Sequence, residues 1–475
     1  MGDRPQNPSL NVDVDVLVVG SGAAGLAAAH EAAAAGARVL VAECEGRTGG
    51  SSRLSGCWIQ AAGTSVQRAA GWDDTPDAML QDYLAINRWR VEPGLARTYC
   101  EYAPEVVEWL VALGLPFGPI VRAGAERVPR GHRAIGEGEA LIDLLERACR
   151  AQGVEFAFGN RVEDLLVDAG AVVGVRARGE ELRAGAVVLA TGGFARNRAL
   201  LDEYVDAPWI GPSDADTNTL AGPGSRGDAM VMGERVRAAV AGRGRALWVP
   251  QALTPPAVML VRPDGRRFVD ESADFTTAAL VAADWGGIQY AIFDETVRRS
   301  PRFAAIEKTS AGFLFRDDDP DLDVGPLDAW VAAGDLVRAP SLAEVARGLA
   351  IDPAHLEASV ARYNEACAAG HDDRFEKPSS SLLPISSPPF YGVRVRPTVL
   401  IATFCGLRID SHAQVLDADE QPIAGLYAAG EAAGGVVGDV YAGHGNSITS
   451  GLVFGRIAGS GAASRVSRGA PARAQ

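Results

Sequence analysis

Paired cysteines, excess positive charge and membrane-length apolar runs are missing from this 475-residue chain, and each absence narrows what it can be. The six cysteines, Cys44, Cys57, Cys100, Cys149, Cys367 and Cys405, are scattered with no Cys-x-x-Cys pair. Their spacing argues against a metal, iron–sulfur or thioredoxin-type site and points to a reducing, cytoplasmic setting. A formal charge of −15 argues against nucleic acid and anionic membrane surfaces as partners. The apolar stretch from Val16 to Ala42 is broken by His30, Glu31 and Arg38, so it reads as a β-α-β unit and not as a membrane span. The N-terminal Met-Gly-Asp-Arg-Pro-Gln shows no basic region leading into an apolar one, so no secretory signal is expected. With 47% hydrophobic residues the chain has ample core for two or three domains, and it contains no internal repeat.

What is present begins at Val14. A β-branched apolar run, Val14 to Val19, meets Gly20-Ser21-Gly22-Ala23-Ala24-Gly25 and turns directly into a helix. Gly20 allows the turn, Gly22 lets backbone approach a pyrophosphate, and Gly25 permits close packing of helix on strand. The helix opening at Ala23 and Ala24 offers free N–H groups and its positive dipole end to that pyrophosphate. A second strand, Ala37 to Ala42, ends at Glu43, where a ribose hydroxyl needs an acceptor. Strand, helix, strand and terminal acid together specify a dinucleotide site.

Signals of the same layer recur at Val154–Val162, read as one strand, at the hairpin through Val172–Ala177, and at Ala186–Phe194 with Thr191 and Gly192 in its glycine turn. Near the C-terminus, Pro422 to Glu431 repeats strand, glycine and acid, and a long helix is expected from about Asn446 to Ala463. The middle differs. Ser341-Leu342-Ala343-Glu344 is a capping box, and Asp352-Pro353 starts a helix with Leu356, Val360, Tyr363 and Cys367 on one face and Gly370 as its stop. Lys377 to Pro389 reads as a return linker. The fold class is therefore α/β, a split Rossmann-like nucleotide domain (residues 1–240 and 391–475) with an inserted α+β cap domain (241–390) and a ligand cleft between them.

With these residues assembled, the chain resembles the fumarate reductase and 3-ketosteroid Δ1-dehydrogenase superfamily of FAD flavoproteins. The resemblance runs from about Val14 to Ala463. It rests on GSGAAG with Glu43, Thr48-Gly49-Gly50-Ser51-Ser52, Ala190-Thr191-Gly192-Gly193-Phe194, Gly265-Arg266-Arg267-Phe268-Val269-Asp270-Glu271, and Gly425-Leu426-Tyr427-Ala428-Ala429-Gly430-Glu431. It implies FAD held by the split domain, with Gly49, Gly50, Ser51 and Ser52 where pyrophosphate meets the flavin ring, and Val162, Thr191 and Gly192 as further contacts. Glu431 is implied as acceptor for a ribityl or ribose hydroxyl. The helix start at Asn446, Ser447 and Ile448 would face the flavin N1/C2 carbonyl. Members with covalent flavin carry a histidine in the attachment loop, and none lies between Gly46 and Gln60, which implies non-covalent FAD.

The resemblance also bears on substrate. Fumarate reductases clamp two carboxylates, but Ala402 stands where their substrate histidine belongs, Tyr441 or Ala442 replaces the clamp arginine, and Phe275 replaces the proton-delivering arginine. Tyr441, Gly443 and Gly445 instead fit the ketosteroid dehydrogenase pattern Tyr-x-Gly-x-Gly, which implies Tyr441 and the Gly445 N–H at a ketone oxygen. Leu247 to Pro250, Pro389 to Tyr391 and Arg362 to Asn364 also look more like that branch. That branch uses a tyrosine as base where this chain has Phe275, and its assisting tyrosine is missing from Ala125 to Gly136. His132 and His444 are the candidates for proton transfer; His30, His355, His371 and His412 read as surface residues without partners.

The resulting expectation is an FAD-dependent enzyme acting on a CH–CH bond next to a carbonyl, desaturating an apolar cyclic ketone by hydride transfer to flavin N5, with an external electron acceptor or donor. The rivals are a reductase of an enone or enoate and a non-catalytic flavin electron-transfer subunit.

Overall fold

Val16, Leu17 and Val18 are all fully buried, as required of a strand covered by helices on both faces. The computed structural model describes residues 13–122, 124, 126–206, 218–249, 256–273, 275–300, 336–395 and 399–469, and it places this strand inside an eight-stranded sheet. Val14–Val19 pairs in parallel with Val39–Ala42 on one side and Glu180–Leu189 on the other. Pro422–Ala428 extends the parallel order beyond Glu180–Leu189, and Glu155–Ala157 extends it beyond Val39–Ala42. The C-terminal segment thus returns to the sheet begun by the N-terminal one.

The Val154–Val162 run is two strands, not the single strand expected. Glu155–Ala157 joins the parallel sheet, while Val162–Asp168 forms a hairpin with Ala171–Ala177. Between them the N–H groups of Gly159 and Asn160 donate to the carbonyls of Glu45 and Glu43, which takes the chain off the ladder. The C-terminal helix spans Asn446–Gly469, longer than the reading to Ala463, and lies along the Ala23–Ala34 helix. Their backbones come close: a Cβ on Gly455 or Gly459 would sit 2.3 or 2.2 Å from the carbonyl oxygens of Ala24 and Ala28.

A second apolar core runs from Ala257 to Val395. It is built on an antiparallel sheet ordered Met259–Val261, Gln289–Asp294, Phe390–Val395, Leu336–Ala339. The Leu342–Leu349 and Pro353–Ala369 helices pack with it, capped by Ser341 and Asp352, and Gly370 ends the second in a left-handed conformation. The sheet thus continues past 390. Val240–Ala241 and Ala246–Val249 pair with Gly406–Arg408 and Val399–Thr403 and not with this sheet.

Two histidines read as partnerless have partners. His30 packs on Trp109 and meets Gln152, and His355 joins Arg266 and the Asp264 carbonyl. Among the described residues no helix is long and apolar enough to cross a membrane, and no cluster of three or more His, Cys, Asp or Glu is placed to hold a metal.

Candidate functional site

One cavity, with about 1460 Å³ of empty space partly open to solvent, lies at the carboxyl ends of the parallel strands. Val19 and Gly20, Ala42 and Glu43, Ala190 and Thr191, and Ala429 and Gly430 line it, each pair from the end of a different strand. The position follows from the topology, because strand ends and helix starts there present unpaired backbone groups.

At the nucleotide end the glycines divide the work as the sequence suggests. Gly20 has φ +99°, and a Cβ there would lie 2.3 Å from the Ala190 oxygen. A Cβ on Gly25 would lie 2.0 Å from the Gly20 oxygen, so helix and turn touch directly. Gly22 is different: it N-caps the Ala23–Ala34 helix without a side-chain cap, and nothing lies within 3.4 Å of the site of a Cβ, leaving a cradle for a ligand. The Ala23 N–H reaches Ser52 Oγ at 3.2 Å. Ser51 Oγ accepts from Gly222 N, and Gly49 and Gly50 turn through positive φ to bring both serines to the wall.

Glu43 is buried with both oxygens engaged. Oε2 accepts from the Ser21 N–H at 2.9 Å and from the Ser21 hydroxyl, and Oε1 accepts from the Glu45 N–H at 2.8 Å. The Cys44 thiol, pushed up to about 12 mainly by burial, also donates to Oε1 at 3.3 Å. That thiol is the weakest of the four donors and the one a ribose hydroxyl would displace most easily. Val162, Thr191, Gly192 and Asp228 line the same region, and the Thr191 hydroxyl accepts from the Ala229 N–H.

The other end is apolar. Leu54, Cys57, Trp58, Leu220, Leu247, Ile401, Ala402 and Tyr441 contribute to its wall. No Lys, Arg or His belongs to the described lining. None of the lining comes from the second core, so among the described residues this cavity is built by the nucleotide domain and the strands beside it. Phe275 opens the Phe275–Ala282 helix, but its side chain, like Pro250 and Ala125, lies outside the described residues.

Tyr441 stacks on Phe404, with ring centroids 5.7 Å apart and planes 4° from parallel. Its phenol oxygen accepts from the N–H groups of Gly445 and Ser447, each at 3.2 Å. This corrects one expectation, because the Gly445 N–H is aimed at the phenol and not at a shared outside oxygen. Burial raises the Tyr441 pKa while those two bonds oppose the rise, so the group stays a neutral phenol with a proton to donate. The loop is held from below by β-structure: the Gln60 side chain donates to the His444 carbonyl, and the Thr449 hydroxyl accepts from the Gln60 N–H.

The two histidines proposed for proton transfer do not line the cavity. His132 is fully buried, with Nε2 at 2.8 Å from the Thr64 hydroxyl and Nδ1 at 2.9 Å from the Arg130 carbonyl. The carbonyl fixes the proton on Nδ1, and burial lowers the pKa, so the ring is a neutral structural bridge. The half-buried His444 ring meets Trp58 edge to face. Cys57, Trp58, Leu220 and Ile401 carry no motif signal that marks them as lining; Trp58 opens the Trp58–Gln60 strand, and which of its faces meets the cavity depends on the fold.

The site fits a flavin dinucleotide. Gly22 provides an open cradle beside an uncapped helix start, Glu43 an acceptor, and the buried Asn446 amide nitrogen at the start of the last helix has no hydrogen-bond partner among the described residues. Glu431 lines the cavity half-buried, its carboxyl pushed up to about 7 by desolvation and eased by the Thr403 N–H at 3.4 Å.

Residues 15–448 match the FAD binding domain family, and the chain belongs to it. It is an FAD-dependent oxidoreductase of the fumarate reductase and ketosteroid dehydrogenase group. It is 30% identical to the NADH:fumarate oxidoreductase of Klebsiella pneumoniae over 95% of its own length but spans only 48% of that protein. It is 31% identical to a fumarate reductase (cytochrome) of Shewanella frigidimarina, covering 95% of this chain and 77% of that one. A 4-oxocyclohexanecarboxylate 2-dehydrogenase of Sinomonas cyclohexanicum is 26% identical, with 94% and 92% covered. Among solved structures, the 3-ketosteroid-Δ4-(5α)-dehydrogenase of Rhodococcus jostii superposes with a TM-score of 0.77 at 26% identity, over 96% of this chain and 98% of that one.

Proposed function

We propose that this enzyme exchanges hydrogen across the C–C bond α,β to the carbonyl of an apolar, uncharged substrate, with desaturation of a cyclic ketone as the leading reaction. The observation that carries the reading is the cavity end where the Tyr441 phenol stands among Leu220, Leu247, Ile401 and Ala402 with no cationic side chain in the described lining. A dicarboxylate there would be desolvated without a counter-charge, a cost of several kcal/mol per ion. A neutral ketone loses little on entering the same wall.

Bound FAD supplies the two-electron exchange at N5. The protein's part is to hold the carbonyl and exclude water. The Tyr441 proton donates to the carbonyl oxygen, and the Gly445 and Ser447 N–H groups polarise the phenol oxygen and stiffen it against rotation. Charge building on the substrate oxygen is thereby met by a fixed donor in a water-poor site, a form of stabilisation worth about 10²–10³ in rate per donor. Glu43, Ser51, Ser52, Thr191 and the first turn at Asn446, Ser447 and Ile448 are assigned to the cofactor. The cysteines are all free thiols, which supports a reducing, cytoplasmic setting.

The second reading is an ene-reductase working in the opposite direction with an external donor, favoured by the relatives named as fumarate reductases. Anaerobic mixing of the yellow protein with saturated cyclic ketones decides between them. Bleaching with formation of the α,β-unsaturated ketone is expected, and Tyr441→Phe should slow it by roughly 10²-fold. Turnover of enones with reduced viologen but no bleaching by any saturated ketone would establish the reductase. Efficient fumarate reduction would overturn the uncharged-substrate reading.

A further inference from the structure

The segment that delivers Tyr441 is gripped from behind by the end of a distant helix. Asn87 C-caps the Pro76–Ile86 helix and is fully buried. Its Oδ1 accepts from the Val440 N–H at 3.1 Å, and its Nδ2 donates to the Tyr83 carbonyl at 3.0 Å, so the amide is fixed at both ends. The glycine at 438 is needed for this approach, since a Cβ there would lie 2.1 Å from Asn87 Oδ1. One helical turn back, the Tyr83 hydroxyl donates to the Val436 carbonyl at 2.9 Å. Three residues on, Arg90 closes on Asp439 at 2.8 Å, and Arg245, from just before the Ala246–Val249 strand, meets the same carboxylate at 2.7 Å. Arg88 and Trp89 adopt the left-handed region, φ +52° and +59°, a conformation that non-glycine residues keep only where their surroundings enforce it. Residues 436, 439 and 440 are thus each fastened to the 83–90 turn, and residue 441 is the next in line.

We propose that Asn87 is a positioning residue that sets the Tyr441 phenol, acting through the Val440 backbone. The inference rests on the reading of Tyr441 as the donor to the substrate carbonyl. Asn87 does not belong to the cavity lining. Without its Oδ1 the Val440 N–H loses its acceptor and the backbone before Tyr441 is free to rotate, and a displacement near 1 Å at a reacting group costs roughly 10²-fold in rate.

The test is a double-mutant cycle on anaerobic flavin bleaching by the ketone that the wild type oxidises. Asn87→Leu should keep full FAD content and an unchanged half-saturating ketone concentration, while the saturated rate falls by roughly 10–100-fold. Asn87→Asp, which retains an acceptor for Val440, should recover most of the rate. In a Tyr441→Phe background Asn87→Leu should add less than about a further twofold, because both changes disable the same donor. Full additivity of the two losses, or a wild-type rate for Asn87→Leu, overturns the positioning role. A wild-type rate for Tyr441→Phe alone instead overturns the reading on which it rests, and the inference with it. If Asn87→Leu does not accumulate as folded protein, Arg90→Ala carries the same cycle. That side chain is 67% exposed, so its loss leaves Asp439 held by Arg245 alone and releases it from the 83–90 turn without opening the core. A smaller loss that vanishes in the Tyr441→Phe background supports the grip; one that persists there refutes it.

Discussion

Glu431→Gln keeps the size of a half-buried side chain on the cavity wall and removes its ability to ionise. In the folded protein, desolvation pushes the Glu431 carboxyl from the ordinary 4.5 up to about 7, with the Thr403 N–H opposing weakly. In the unfolded chain the same group titrates normally. Because the folded-state value is the higher one, the folded state holds the proton more tightly. The associated stability is fully present below about 4.5, falls as pH rises, and is lost once pH passes about 7. Over that window the loss amounts to about 3 kcal/mol. Apoprotein carrying Glu431→Gln should therefore melt close to wild type at about pH 5 and above it at about pH 8, by about 3 °C for a chain of this size. Differential scanning fluorimetry of the two apoproteins across this range measures the gap directly. Restoring FAD should narrow the gap, because a hydroxyl donating to the carboxylate favours its charged form. A gap that stays constant with pH, or that widens toward acid, refutes the reasoning.

The remaining expectations are simpler. Acid or heat should release FAD completely, since no histidine stands between Gly46 and Gln60; flavin remaining with denatured protein would show a covalent bond. Glu43→Ala should weaken FAD by about 1–3 kcal/mol in a fluorescence titration, and an unchanged affinity would move the ribose contact elsewhere. Arg130→Leu removes the buried cation that Asp74 and Asp82 share at 2.6 and 2.7 Å, leaving Asp74 with neutral donors only and Asp82 with the exposed Arg127. The cost should be about 3–5 kcal/mol in denaturant unfolding; a cost below about 1 kcal/mol would mean the cluster is screened like a surface pair.

Much was legible because it is written locally. The turn from Val19 through Gly25 needs glycine at fixed offsets, the caps at Ser341 and Asp352 need a short polar side chain before a helix, and Glu43 ends its strand at a countable distance. That Ala402 stands where the resembling sequences carry a histidine was also readable, because it sits within a motif. Alternation and capping report only a residue's near neighbours, however, and the rest depended on contacts between distant parts of the chain. Nothing local to Val154–Val162 says that Gly159 and Asn160 will turn to meet Glu45 and Glu43. Nothing around His132 says that Thr64 and Arg130 will seal both its nitrogens, which is why a titratable loop histidine became a buried bridge. The Gly445 N–H turned to the phenol because burial leaves no water to satisfy either group. The grip of Asn87 on Val440 joins positions 353 residues apart. Sequence by itself determined the chemistry available at each strand end; tertiary packing decided which of those groups face one another and which face the cavity, because burial obliges each polar group to find a partner and only the folded chain determines which partner is in reach.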